Sequence, residues 1–354
     1  MQLAGSFTLY LTHSRLANQT STEESLVMLI AVNYHYVRSS FDNPYPGIHG
    51  ITPTQLEGQL KLLGTVGTFV SARDIQAAIR GATPLPEKSI AVTFDDGLRE
   101  QYEIAWPVLR RLGIPAIFFI NTGPIACGTL STVHKIHLLR SSMAPGDFLH
   151  LLRRKAREIG LALDVEVDSL RARMQYKYDD QEIAALKYLL NFVLPPDRKD
   201  NVIEACFCEA FPKCEAKMSQ DLYMSVSQIK ELGSHGCIGT HGHEHVPLGV
   251  LPVNVAEEQI QVSATYLERW TGVRPVGLSY PYGSLEATSL AVADRAAKWG
   301  IEFAFTMERA ANGDLTRPLF LARFSSNDLP GGQMSEWTAD ALFEAVPVSS
   351  WYRR

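Results

Sequence analysis

The sequence has no basic surplus. Its 33 lysines and arginines are outnumbered by 38 aspartates and glutamates, for a formal net charge of −5 over 354 residues. Nucleic-acid binding and attachment to anionic membranes usually show the opposite imbalance, so neither is expected. Long apolar runs are missing too: the longest near the N-terminus, Leu26 to Val32, has seven residues, against the ~20 that a membrane-spanning helix needs. No integral membrane segment is expected. The same stretch lacks the basic n-region of a signal peptide, so residues 1–25 read as a leader or short terminal element of a cytoplasmic protein. Cysteine is scarce and odd in number (Cys127, Cys206, Cys208, Cys214 and Cys237), which argues against a disulfide framework in a chain of this size. Three of the five cluster in "NVIEACFCEAFPKCEAK". No fourth ligand stands at customary zinc spacing there and the segment has a helical rhythm, so buried or half-buried free thiols are expected.

What is present is an alternation of strand and helix patterns. "LVMLIAVNYHYV" reads as a strand and "TPTQLEGQLKLLG" as a helix with Thr52 or Thr54 near its cap. "TFVSARDIQAAIRG" gives a short strand, a capping Ser71 and a helix ended by Gly81. A further strand, a helix over Arg99 to Leu112 and the strand "IPAIFFI" follow. This alternation implies parallel pairing in an α/β sheet or barrel. Residues 126–222 break the rhythm, with many charges and helical runs but no convincing strand, and are read as a helical insertion. The α/β pattern then resumes over residues 223–354, so that 26–125 and 223–354 together make one barrel of seven or eight strands.

Chemistry gathers at strand ends. The buried-looking strand Ser89 to Phe94 terminates in Asp95 and Asp96, two adjacent carboxylates that repel each other and resist desolvation. A metal, a cation from elsewhere in the chain or water must hold them. Beyond another strand, "IGTHGHEHVPLG" supplies His241, His243 and His245. With a carboxylate, these histidines match a divalent-metal site with open positions for an activatable water. A solvated turn with incidental histidines is the alternative, and spacing does not say which of the three would ligate.

"TFDDG" (Thr93 to Gly97), "THGHEHVPLG" (Thr240 to Gly249) and "YPYG" (Tyr280 to Gly283) occur in this order. Together they resemble the first three motifs of the polysaccharide deacetylases, the carbohydrate esterase family of chitin, peptidoglycan and chitooligosaccharide deacetylases. The resemblance implies a distorted (β/α) barrel, with Asp96, His241 and His245 binding a divalent metal, usually Zn2+ with Co2+ or Ni2+ as alternatives. It implies Asp95 as general base, the Tyr282 backbone N–H as an oxyanion donor, and His243 as a non-ligand. The amine can leave only if protonated, so a general acid is also required.

The sequence departs from the family pattern in two places. No histidine follows His245, where most members place the acid in a late motif, and Ser279 stands where an arginine is usual, two residues before the proline of "YPYG". His35 in "AVNYHYV" is the best substitute acid. It resembles the "YH" segment of the permuted branch that includes the poly-N-acetylglucosamine deacetylases; a core histidine is the alternative. Arg323 in "LARFSSND" is the stand-in expected to orient Asp95, with a surface salt bridge as the competing reading. His134 and His137, one helical turn apart in the charged insertion, could ligate metal but are expected to be solvated, and the basic "RRKARE" run is expected to be a solvated helix face rather than a site for an anionic or lipid-diphosphate substrate. The loop bearing Tyr45 and His49 either lines a sugar groove or is a rigid turn.

The sequence therefore predicts a metal-dependent hydrolase removing an N-acyl group from an N-acetylated amino sugar in a glycan, lipid-linked precursor or sugar nucleotide. The helical insertion is expected to border the site. Deformylation or O-acyl ester hydrolysis at the same site, and a carbohydrate-binding pseudoenzyme, are the rival readings.

Overall fold

The computed structural model describes residues 27–41, 50–163, 167–332 and 334–352. The expected leader and the Tyr45–His49 loop lie outside these residues.

β1 (Met28–Tyr34) is buried over six of its seven residues. It leads to α1 (Pro53–Leu63), where the Thr52 hydroxyl accepts from the Gln55 N–H and the Gln55 side chain returns to the Thr52 N–H. That capping box, with proline in the first turn, explains the sharp start. β2 (Thr68–Phe69) precedes α2 (Ala72–Ile79), capped in the same way by Ser71 and Asp74. After β3 (Lys88–Phe94), the helix expected over Arg99 to Leu112 is divided. Gln101–Ala105 forms a wider π-type turn ahead of α3 (Trp106–Leu112). Pro107 lacks the N–H that would close a regular turn there.

β4 (Ile117–Ile120) and α4 (Thr122–Cys127) open the stretch without strands. It continues through α5 (Thr132–Ser142), α6 (Pro145–Glu158), α7 (Ser169–Gln175), α8 (Gln181–Tyr188), α9 (Pro196–Ala210) and α10 (Glu215–Leu222). The alternation returns with α11 (Val226–Ser234), β5 (Ile238–Thr240), α12 (Val253–Thr271) and β6 (Gly277–Ser279). It ends with α13 (Leu290–Lys298), β7 (Phe303–Phe305), β8 (Phe324–Ser325) and α14 (Ala341–Glu344).

The eight strands form one parallel sheet in the order β7-β6-β5-β4-β3-β1-β8, with β2 paired to β3 off this path. The sheet curls until its outer strands share one segment. Leu321 bridges Phe305 of β7, and Phe324 pairs with Val32 of β1. Asn312 seals this seam. Its side chain donates to the carbonyls of Leu29 and Ala322 and accepts from the Ala322 N–H. The expected distorted (β/α) barrel is the architecture found.

Alternate strand residues face different cores, as the two-residue strand period requires. Ile30, Val32, Ile90 and Val92 pack with Leu56, Leu60 and Leu109 of the helices, while Leu29, Ala31, Ala91, Phe119, Phe303 and Phe305 form a second cluster on the other face. The inserted helices build their own cluster around Phe148, Leu152, Val202, Ile203 and Phe207, joined to the barrel through Tyr36, Leu98 and Tyr223. Cys206 is buried within it, whereas Cys208 and Cys214 are exposed; all are free thiols. Arg154 and Lys155 of "RRKARE" pair with Glu158 and Glu209. Among the described residues, no helix is long and apolar enough to cross a membrane.

Candidate active site

Parallel strands deliver their following residues to one end of the barrel, where α/β proteins assemble their sites. Asp95 and Asp96 follow β3, His241 follows β5, Tyr282 follows β6 and His35 follows β1.

Asp95 is clamped. Arg323 donates from one terminal nitrogen to Asp95 Oδ1 (3.0 Å) and from the other to Oδ2 (2.9 Å), and Asn33 adds a bond to Oδ2 (2.8 Å). The remaining guanidinium donors reach the Thr306 carbonyl, the Thr93 hydroxyl and the Ser279 hydroxyl. All five donors of a fully buried arginine are thereby used. Burial pushes the Asp95 carboxyl up, but Arg323 and then His241 outweigh it and hold the group well below its ordinary range. Asp95 is ionised at neutral pH.

Asp96 faces the histidines. Its Oδ1 lies 3.2 Å from His245 Nε2 and 3.6 Å from His241 Nε2. These three buried side chains are the only His, Cys, Asp and Glu group among the described residues arranged to hold a metal. Donors bound tetrahedrally at about 2.0–2.2 Å from zinc sit roughly 3.3 Å apart, which these separations match. Two further observations fit an ion. Asp96 Oδ1 is buried with no hydrogen-bond partner among the described residues, which native interiors rarely tolerate. The His241 Nδ1 lies 2.7 Å from the Ser279 carbonyl, so it carries the proton and leaves the Nε2 lone pair free. Burial, opposed by the neighbouring carboxylates, lowers the His241 pKa to about 4, keeping the ring neutral at physiological pH.

The backbone is bent to this end. Asp96, His245 and Tyr282 adopt φ values of +81°, +53° and +64°, a region that costs non-glycine residues about 1–3 kcal/mol each. Gly97 continues the turn after Asp96 at φ +69°. The histidine loop is fixed by Asn121, whose amide donates to the His243 carbonyl, and by the Gly123 N–H, which donates to the same oxygen. A Cβ on Gly123 would stand 2.6 Å from that oxygen, so only glycine allows the approach. His243 itself turns to Thr122 and stacks on Tyr266, outside the metal group.

His35 lines the pocket, partly exposed, with Nε2 3.9 Å from Asp95 Oδ2. The Tyr282 ring packs against His245, its hydroxyl donates to Asn191, and its backbone N–H makes no hydrogen bond within the described residues. The structure therefore brings Asp95, Asp96, His35, His241, His245, Tyr282 and Arg323 to one end of one barrel.

A profile described as "Polysaccharide deacetylase" matches residues 82–137 and 211–303, carrying "TFDDG", "THGHEHVPLG" and "YPYG" on either side of inserted helices. Over these residues the chain is similar to the polysaccharide deacetylase family. Over 49 residues it is 43% identical to the poly-beta-1,6-N-acetyl-D-glucosamine N-deacetylase of Escherichia coli (strain K12), a match covering 14% of this chain and 7% of that protein. Solved deacetylase structures share its fold at low identity. IcaB from Ammonifex degensii is 20% identical with a TM-score of 0.51, over 84% of this chain and 91% of that one. The Streptococcus pyogenes deacetylase PplD is 14% identical with a TM-score of 0.52, over 84% and 92%.

Two expectations about the insertion are corrected, and one further residue, Asn33, was not anticipated. His134 is a correction. Instead of being solvated, it is 1% exposed, with Nε2 3.4 Å from Asp96 Oδ2 and Nδ1 within 2.7 Å of both the Ser131 and Tyr223 hydroxyls. One of those hydroxyls can donate to Nδ1, while Nε2 stands beside Asp96 without a hydrogen-bond partner among the described residues. His137 also turns to the pocket, 3.1 Å from the Tyr36 hydroxyl. Asn33 is a polar residue inside an otherwise apolar strand, which was the one available sign of its role.

Proposed function

We propose that the chain is a metal-dependent hydrolase that removes an N-acyl group, acetyl foremost, from an N-acetylated amino sugar. The observation that carries this reading is the side-by-side placement of two differently held carboxylates. Asp96 is directed at two neutral-capable imidazoles, and Asp95 is locked on an arginine beside it.

In this reading Asp96, His241 and His245 hold the divalent ion, Zn2+ foremost, with Co2+ or Ni2+ as alternatives. When bound, such an ion acidifies water and polarises a carbonyl. Asp95 accepts the proton lost by the attacking water. Because Arg323 makes Asp95 a weak base, that proton must come from an acidified donor. Arg323 also fixes which Asp95 oxygen faces His35. The Tyr282 N–H, held in place by the left-handed turn, donates to the developing oxyanion. His35 donates a proton to the nitrogen as the C–N bond breaks and the new C–O bond completes the carboxylate product.

Elemental analysis tests the site. About one ion per chain is expected in the wild type and loss of it in both Asp96→Ala and His241→Ala, with acetate release from N-acetylated sugars lost in parallel. A wild type that takes up no zinc, cobalt or nickel would sink the reading. His35→Ala should lower turnover about 100-fold or more with metal still bound; unchanged turnover would remove His35 from the acid role.

A further inference from the structure

The cavity over the metal group has a volume of about 800 Å3 and is walled on one side by the inserted helices. Those helices are fastened to the barrel mouth at several points. His134 reaches Asp96 after β3, and His137 meets Tyr36 after β1. Arg171 and Tyr188 hold Glu286 after β6, and Tyr178 and Lys177 hold Asp328 after β8. A polysaccharide bound by its interior needs a trough open at both ends. Three of these ties follow the neighbouring strands β3, β1 and β8 and the fourth follows β6 across the mouth, so the span borders a pocket instead.

The lining chemistry narrows the occupant further. Three lysines and arginines line the cavity, and each has a carboxylate partner: Arg171 pairs with Glu286 and Asp168, Lys187 with Asp179, which also binds Arg140, and Arg309 with Asp328, which also binds Lys177. No lysine or arginine among the described lining residues lacks a carboxylate partner. Most of the cavity's surface is nevertheless apolar, contributed among others by Val133, Leu170, Met174, Leu285, Met307 and Trp351. At the cavity, Leu170 and Met174 are 68% and 71% exposed and Leu285 49%. Apolar surface left in water is unfavourable in proportion to its area, and this surface is continuous with the pocket that holds the metal group.

We infer that the substrate is a single N-acylated amino sugar that enters end-on and carries an uncharged apolar group, either on its anomeric oxygen or as the N-acyl chain. The inference rests on the hydrolase reading above for its chemistry, but not for its binding.

The zinc-loaded chain would be given methyl and octyl glycosides of N-acetylglucosamine, the methyl glycoside of N-octanoylglucosamine, and an N-acetylglucosamine hexasaccharide. Release of amine is the readout. The octyl or the octanoyl compound is expected to exceed the methyl N-acetyl compound by about tenfold or more in kcat/KM, and which of them does so locates the apolar group. The hexasaccharide should react at a terminal unit only. Substituting Leu170→Ser together with Met174→Ser should bring the apolar-to-methyl ratio down towards one. Equal rates for methyl and apolar compounds, or reaction at interior units of the hexasaccharide, would overturn the inference. If nothing is hydrolysed, the hydrolase reading fails, and calorimetry on metal-free protein still decides the pocket. Tighter binding of an apolar compound than of the methyl glycoside supports it; equal binding refutes it.

Discussion

His134 touches Asp96 through the oxygen opposite the one shared with His245 and His241. An imidazole there fixes how the carboxylate is turned without joining the metal group. Outer partners of this kind typically contribute 10–100-fold to metal affinity. His134→Ala should therefore weaken Zn2+ binding by about that factor in chelator competition, with the circular dichroism spectrum unchanged; an unaltered affinity would show the contact to be idle. The sequence made the metal group visible because a carboxylate pair at the end of an apolar strand has to be compensated. It concealed His134, because a charged helical segment gives no sign of which side it turns to the barrel. Arg323 was half visible: Ser279 marked a missing cation, yet only the fold brings residue 323 within reach of residue 95.

At the scale of elements, most starts and stops could be read from local chemistry. Thr52, Ser71 and Ser225 each form a capping box with the residue three positions on. The barrel seam could not be read, because it closes through isolated bridges at Leu321 and Asn312 and through the Asn312 side chain rather than through an extended strand pattern. Asn312→Ala would remove the side-chain partners of the Ala322 carbonyl and N–H, while the Leu29 carbonyl would keep the backbone N–H of residue 312. Such losses should cost roughly 3 kcal/mol in urea unfolding. A cost near zero would mean that the seam does not depend on that amide. The divided helix before α3 shows the same limit. Apolar spacing predicted one continuous helix, and Pro107 changed the hydrogen-bond pattern without changing the spacing.

Over the whole molecule, burying imidazoles and carboxylates together makes stability depend on pH. His241 binds a proton only near pH 4 when folded, but near 6.5 in an unfolded chain. Below about 6.5 the unfolded state takes up the proton that the native state refuses, so native stability falls as pH falls. Asp95 and Asp96 are held below their ordinary range. Their stabilisation is present above about pH 4 and is lost on further acidification. The metal-free protein should lose roughly 3 kcal/mol between about pH 6.5 and 4 through His241 alone. Urea midpoints across that range measure it, and a flat profile in the wild type would contradict the buried, neutral His241.

The Asp95–Arg323 clamp also fixes an order of assembly. The two residues are 228 positions apart, and domains are synthesised from the N-terminal end. While a nascent chain ends before residue 323, the carboxylate at the heart of the barrel has no guanidinium and cannot settle there as an ion. This end of the barrel can thus be completed only once residue 323 has been made: a shorter chain is held back by its own unpaired charge.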